Sequence, residues 1–225
     1  MRRGAVDLDR SDDLSAKIHG DDGLPPRAEA HLDVSRPDQI RDAAMKRFAE
    51  DGIANTSLRA IAEAAGVSLG LVQHYFVTKS QLIDVIDQHV LSIFGQVQAE
   101  PSSGSDAEDR VSDAGSRLAQ LMSENPTVMD YVGRALAERG EVGNTIFDGF
   151  YAISAQQGAE FAAQGLTPDD LDPLWANMLP LILRVGTIML RPYIERHVDG
   201  SLYEPEQTAR WDAAVTRLIR QGQMK

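Results

Sequence analysis

Between Thr56 and Phe76 the sequence permits little except two short helices locked together by a glycine turn. Thr56 or Ser57 can cap the first, and Leu58, Ile61, Ala62 and Ala65 then fall on one face at helical spacing. Gly66 supplies the stop, because a left-handed residue at a helix end costs glycine little and other residues more. Val67 plugs the turn, and Ser68 caps a second short helix ending near Phe76. Ser68 leads that second helix while Val72 joins the clamp to the first, so the sequence predicts one clamped face and one free face.

The flanks read as helices too. Ser35-Arg36-Pro37-Asp38 has capping-box spacing and an early proline, followed by Ile40, Ala43, Ala44, Arg47 and Phe48 and a stop at Gly52. Thr78-Lys79-Ser80-Gln81 is a second capping box, opening a long amphipathic helix with Leu82, Val85, Ile86, Val90 and Ile93 on one side. Residues 1–36, rich in Asp, Gly, Pro and Arg without apolar period, predict a flexible tail. Pro101-Ser102-Ser103-Gly104-Ser105 predicts a joint. Beyond it, further helices are marked by Val111, Leu118 and Leu121, by Asn125-Pro126, and by Phe147, Phe150, Tyr151 and Phe161. Thr167-Pro168-Asp169-Asp170 predicts the start of a long helix over 168–197, kinked by Pro180 and Pro192, and a last helix covers 204–222. No alternating strand pattern occurs, so the expected fold is all-α: a three-helix helix-turn-helix domain over 37–84 and a larger helical bundle over 85–225.

Two short helices across a tight turn are the unit that sets its second helix in the major groove of DNA. Charge runs against that use. The chain carries a net charge of -12, with five basic against seven acidic side chains over 37–91 and eleven against nineteen beyond. DNA binding must therefore come from a few well-placed donors. If six to ten phosphates were neutralised, affinity would fall roughly 10³–10⁵-fold between 50 and 200 mM salt.

The run Thr56-Ser57-Leu58-Arg59-Ala60-Ile61-Ala62-Glu63-Ala64-Ala65-Gly66-Val67-Ser68, with Gly70, His74-Tyr75-Phe76, Lys79 and Leu82, resembles the TetR-family signature over about residues 37–90. The resemblance implies a homodimeric, sequence-specific transcriptional regulator, expected to be a repressor released from double-stranded operator DNA by a small apolar ligand. It places Thr56, Ser57, Ser68, His74, Tyr75 and Lys79 on backbone phosphates, and Leu69, Gly70 and Gln73 at base edges. The Gln73 amide can bond adenine N6 and N7 together, and Arg59 can reach a phosphate or a base. Family members often carry Tyr where this chain has Gln73 and a polar residue where it has Leu69, so the operator is this chain's own. In the family the last two helices of each subunit form the dimer interface.

The aromatics Tyr131, Phe147, Phe150, Tyr151 and Trp175 are the candidates for lining a ligand pocket in the bundle. Cysteine is absent, the five histidines show no metal-ligand spacing, and neither a phosphate loop nor a nucleophile elbow occurs. The expectation is a binding protein with no enzymatic activity and no cofactor. Asn177, Pro180 and Arg184 interrupt the most apolar stretch, Leu174 to Leu190, which argues for a buried helix rather than a membrane span. A cytoplasmic setting is expected. The competing reading is a helical ligand-binding or scaffold protein with a vestigial reading head.

Overall fold

The computed structural model describes residues 35–99 and 107–224, and among these every regular element is an α-helix. The expected tail, but for its last two residues, and the Pro101–Ser105 joint lie outside the described residues. Ten helices follow in order: α1 (Arg36–Asp51), α2 (Leu58–Ala64), α3 (Leu69–Tyr75), α4 (Lys79–Ala99), α5 (Ala107–Glu124), α6 (Pro126–Glu138), α7 (Glu141–Ala163), α8 (Pro173–Met189), α9 (Arg191–Ile194) and α10 (Pro205–Gln223).

Helix α1 starts where its cap predicts. The Ser35 side chain accepts from the Asp38 N–H at 3.3 Å, and Pro37 occupies the first turn, where a missing N–H costs nothing. Its buried residues Ile40, Ala44, Met45 and Phe48 face α2, α4 and α6. Helix α4 is 21 residues long, about 30 Å at 1.5 Å per residue, and buries Leu82, Ile86 and Val90. One continuous core runs from Ile40 and Ile61 through Leu82 and Ile86 to Tyr131, Ile146 and Val185. The three amino-terminal helices are therefore welded to the bundle, chiefly where α1 packs on α6 and the rings of Phe48 and Tyr131 lie 6.4 Å apart. A smaller core joins Val111 of α5 to Val215 and Ile219 of α10.

The long helix expected over 168–197 is shorter and divided. Asp172, not Thr167, caps it: the carboxylate accepts from the N–H groups of Leu174 and Trp175 at 2.9 and 3.0 Å, with Pro173 in the first turn. Pro180 is tolerated inside α8, whereas Pro192 lies in the first turn of the separate α9. A proline ring collides with the carbonyl four residues back, so α8 stops at Met189 and the chain restarts.

Helices α4 and α6 are pinned together by a buried polar pair. The Tyr131 hydroxyl donates to Asp87 Oδ1 at 2.7 Å, and Asp87 is only 4 % exposed. Burial pushes the Asp87 carboxyl up to about 6, against the pull of the Tyr131 hydrogen bond, and the nearby Asp84 adds to the rise. A raised carboxyl pKa means that the folded chain holds this proton more tightly than the unfolded one. The contribution of Asp87 to stability is thus fully present below about 4 and lost as pH rises through about 6. Asp87→Asn removes that dependence. In urea unfolding, the stability difference between variant and wild type should shift in favour of Asn from pH 4 to pH 7.5. A pH-independent difference would contradict the buried ionisation.

Candidate nucleic-acid interface

The turn between α2 and α3 is built by backbone hydrogen bonds. Gly66 has φ +65°, and its N–H reaches the Glu63 carbonyl at 3.1 Å while the Val67 N–H reaches that of Ala62 at 2.9 Å. This is the paired closure of a Schellman end, and it satisfies carbonyls that the helix would leave open. The Ala65 carbonyl takes a third donor, the Gln39 side-chain amide of α1, at 3.0 Å. Ser68 Oγ then accepts from the Leu71 N–H at 3.1 Å and starts α3. With Val72 fully buried beneath it and Phe76 buried at its end, α3 has one fixed orientation.

Its other side is open. Ser68, Leu69, Gly70, Gln73, His74 and Tyr75 are all exposed, and 69, 70, 73 and 74 share one helical face. The His74 and Tyr75 rings meet edge to face at 5.2 Å. A Cβ on Gly70 would meet nothing nearer than Ser68 Oγ at 3.9 Å, so no internal contact demands glycine there. Ser57 caps α2 through its hydroxyl, which accepts from Ala60 N–H at 3.2 Å, and Arg59 is exposed in the first turn.

Two of the residues expected to touch phosphates are not on this surface. Thr56 is 3 % exposed, and its hydroxyl bonds to the Gly52 and Arg47 carbonyls at the end of α1. Lys79 extends its ammonium to the carbonyls of Ile53 and Ala54 and over the Phe48 ring, 5.6 Å from its centre; burial lowers its pKa. Each ties elements together, Thr56 within the α1–α2 turn and Lys79 between that turn and α4. The remaining cations are mostly committed: Arg41 to Asp38 and Asp42, Arg47 to Asp51 and Glu50, Lys46 to Glu50. Among the described residues 35–91, Arg36 and Arg59 are the exposed basic side chains without a carboxylate partner.

The aromatics expected to line one pocket are scattered. Tyr131 is sealed in the core and holds Asp87, and Trp175 is 52 % exposed on α8. Tyr151 packs against the main core, and Phe147 borders a shallow opening with Leu136, Gly143 and Met189. Phe150 alone borders a small recess, against Phe94 at 4.5 Å between centroids. A cavity of about 400 Å³ lies instead among α5, α7, α8 and α10, with Val111, Phe161, Ile219 and Met224 among its apolar groups and Ser154, Asn177 and Arg184 among its polar ones. The sequence marks Asn177 and Arg184 only as interruptions of an apolar run, not as pocket residues.

The sequence matches the family model for bacterial regulatory proteins of the tetR family over residues 40–86. It is 28 % identical over 165 residues to the HTH-type transcriptional regulatory protein RaaS of Mycobacterium tuberculosis, covering 73 % of this chain and 74 % of that one. It is 33 % identical over 84 residues to the HTH-type transcriptional repressor KstR2 of Rhodococcus jostii, covering 37 % of this chain and 41 % of that one. Among solved structures, the fatty acid degradation regulator FadR of Bacillus halodurans superposes with a TM-score of 0.68 at 18 % identity, over 82 % of this chain and 98 % of the other. That last likeness is one of fold.

Proposed function

We propose that the chain is a TetR-family transcriptional regulator, in keeping with its match to the tetR-family model and to RaaS, and a homodimeric repressor whose α3 reads an operator and lets go when the bundle takes up a small apolar ligand. The observation that carries the reading is the asymmetry of α3: one face clamped by Val72 and the Gly66 turn, the other bare. In this reading Leu69, Gly70 and Gln73 meet base edges, with Leu69 able to touch a thymine methyl and Gly70 leaving room for the groove floor. Ser57, Arg59, Ser68, His74 and Tyr75 hold phosphates. Thr56 and Lys79 serve from behind, by fixing the angle at which α2 and α3 are presented.

Dimerisation is supported by α8. Leu174, Trp175, Leu179, Ile182 and Leu183 are 39–52 % exposed there, and Leu218 of α10 is 59 % exposed. Large apolar side chains gathered at a surface mark an interaction site, and an isologous pair would bury the same patch on both copies. The unit over 37–84 then acts as reading head and 85–225 as ligand and dimer body, joined through α4 and the Phe48–Tyr131 contact. Such a protein works by binding, without catalysis, and in the cytoplasm where its operator lies. A vestigial head finds no support in a recognition face whose capping and burial are intact.

Enrichment of duplexes from a random pool tests the proposal. A two-fold-symmetric consensus is expected, with half-sites about 34–36 Å apart or a multiple of that spacing. An asymmetric consensus would remove the dimer, and no enrichment would remove the operator.

A further inference from the structure

The cavity in the bundle mixes apolar and polar walls, and in one of them an arginine stands without a counter-charge in contact. Ser154, Gln157 and Arg184 border both the 400 Å³ cavity and the small recess behind it, which is otherwise lined by side chains such as Phe94, Met122 and Phe150. Arg184 comes from α8, Ser154 and Gln157 from α7. The Ser154 hydroxyl is spent on the Asn177 carbonyl at 3.0 Å. No hydrogen bond or ion pair engages the Arg184 guanidinium among the described residues. Asp212 of α10 is the carboxylate that acts on it electrostatically, and that carboxylate accepts the Thr216 hydroxyl at 3.0 Å. Asp169 is also in the lining, but it is exposed.

A guanidinium taken from water costs free energy unless something with planar acceptors replaces its hydration. Burial lowers the pKa of Arg184 and raises that of Asp212, so the attraction between the two offsets only part of what burial costs each charge. A cavity of this size is in the range that holds a small organic molecule. One guanidinium with five donors in a fixed fork matches one carboxylate, and the nearby Asp212 disfavours a doubly charged head such as a phosphate monoester.

We propose that the ligand of this bundle is a carboxylic acid with an apolar body, its carboxylate seated on Arg184 and its body against Val111, Phe161 and Ile219. This rests on the reading of the bundle as a ligand-binding body and names the chemical class that the body selects. Occupancy would bridge α8 to α7 and α10, elements that the apolar chain alone would touch without orienting.

The test uses the full chain, first without DNA and then on its enriched operator, with decanoate, decanol and decylamine as probes in calorimetric titration. Decanoate should bind at least tenfold more tightly than decanol, and decylamine should be the weakest. Arg184→Met should erase the decanoate preference while leaving decanol binding within about threefold, and Arg184→Lys should restore part of it. Equal affinities of decanoate and decanol in the wild type would overturn the proposal, whether or not the variants fold. Persistence of the preference in Arg184→Met would overturn it as well. Failure here leaves operator enrichment untouched. Conversely, decanoate that binds through Arg184 but leaves the operator complex intact refutes ligand release and keeps the carboxylate site.

Discussion

Phe48→Ala should lower the unfolding free energy by about 3–5 kcal/mol, because a fully buried ring is replaced by a methyl in a place that cannot collapse. Set against the usual 5–15 kcal/mol of total stability, that is a large fraction. The ring does more than fill volume. It touches Tyr131 of α6 and underlies the Lys79 ammonium, so its loss loosens the weld between reading head and bundle as well as the tie from α4 to the α1–α2 turn. Urea unfolding measures the stability, and operator affinity should fall further than the unfolded fraction accounts for. Phe48→Leu, which keeps most of the volume, should cost less than half as much. A loss below 1 kcal/mol for Phe48→Ala would mean that the head and bundle do not share a core.

Operator affinity should fall only on the order of 10- to 100-fold between 50 and 200 mM salt, far less than a basic regulator would show. With Arg36 and Arg59 as the exposed arginines of each described head that lack a carboxylate partner, a dimer would neutralise two to four phosphates through them. At a slope near -0.9 per phosphate, a fourfold rise in salt gives roughly that range. The charge count alone cannot yield this figure, and assuming six to ten phosphates predicts roughly 10³–10⁵. What lowers it is geometry: Arg41, Arg47 and Lys46 are held by acidic neighbours, and Lys79 is turned inward. Fluorescence anisotropy across a salt series measures the slope. A thousandfold loss would show that those internal pairs open on DNA and that the cation assignment is wrong.

Much of the reading head was legible because it is local. Ser35, Ser57 and Ser68 cap helices within three residues of themselves, and Gly66 turns the chain through bonds to Ala62 and Glu63. Such features depend on short-range geometry that spacing encodes. What escaped depends on distant partners. Thr56 and Ser57 were equivalent cap candidates in one dimension; once Ser57 takes the cap, Thr56 is free to turn into α1. Lys79 finds its carbonyl 26 residues back, and Tyr131 its carboxylate 44 residues back. No period reports either pairing. The start of α8 was misplaced because Thr167-Pro168 and Asp172-Pro173 offer similar signals five residues apart, and only the second is used. Arg184 was visible as an anomaly but not as a cavity wall, since the wall is assembled from α7 and α8 together.

The most direct test of α3 as the reading element is to enrich random duplexes with wild type and with Gln73→Ala side by side. The account predicts that the variant loses discrimination at one base position in each half-site, by about 1–3 kcal/mol, while the other positions keep theirs. The same consensus, with the same strength at every position, would show that the outward face of α3 does not read DNA.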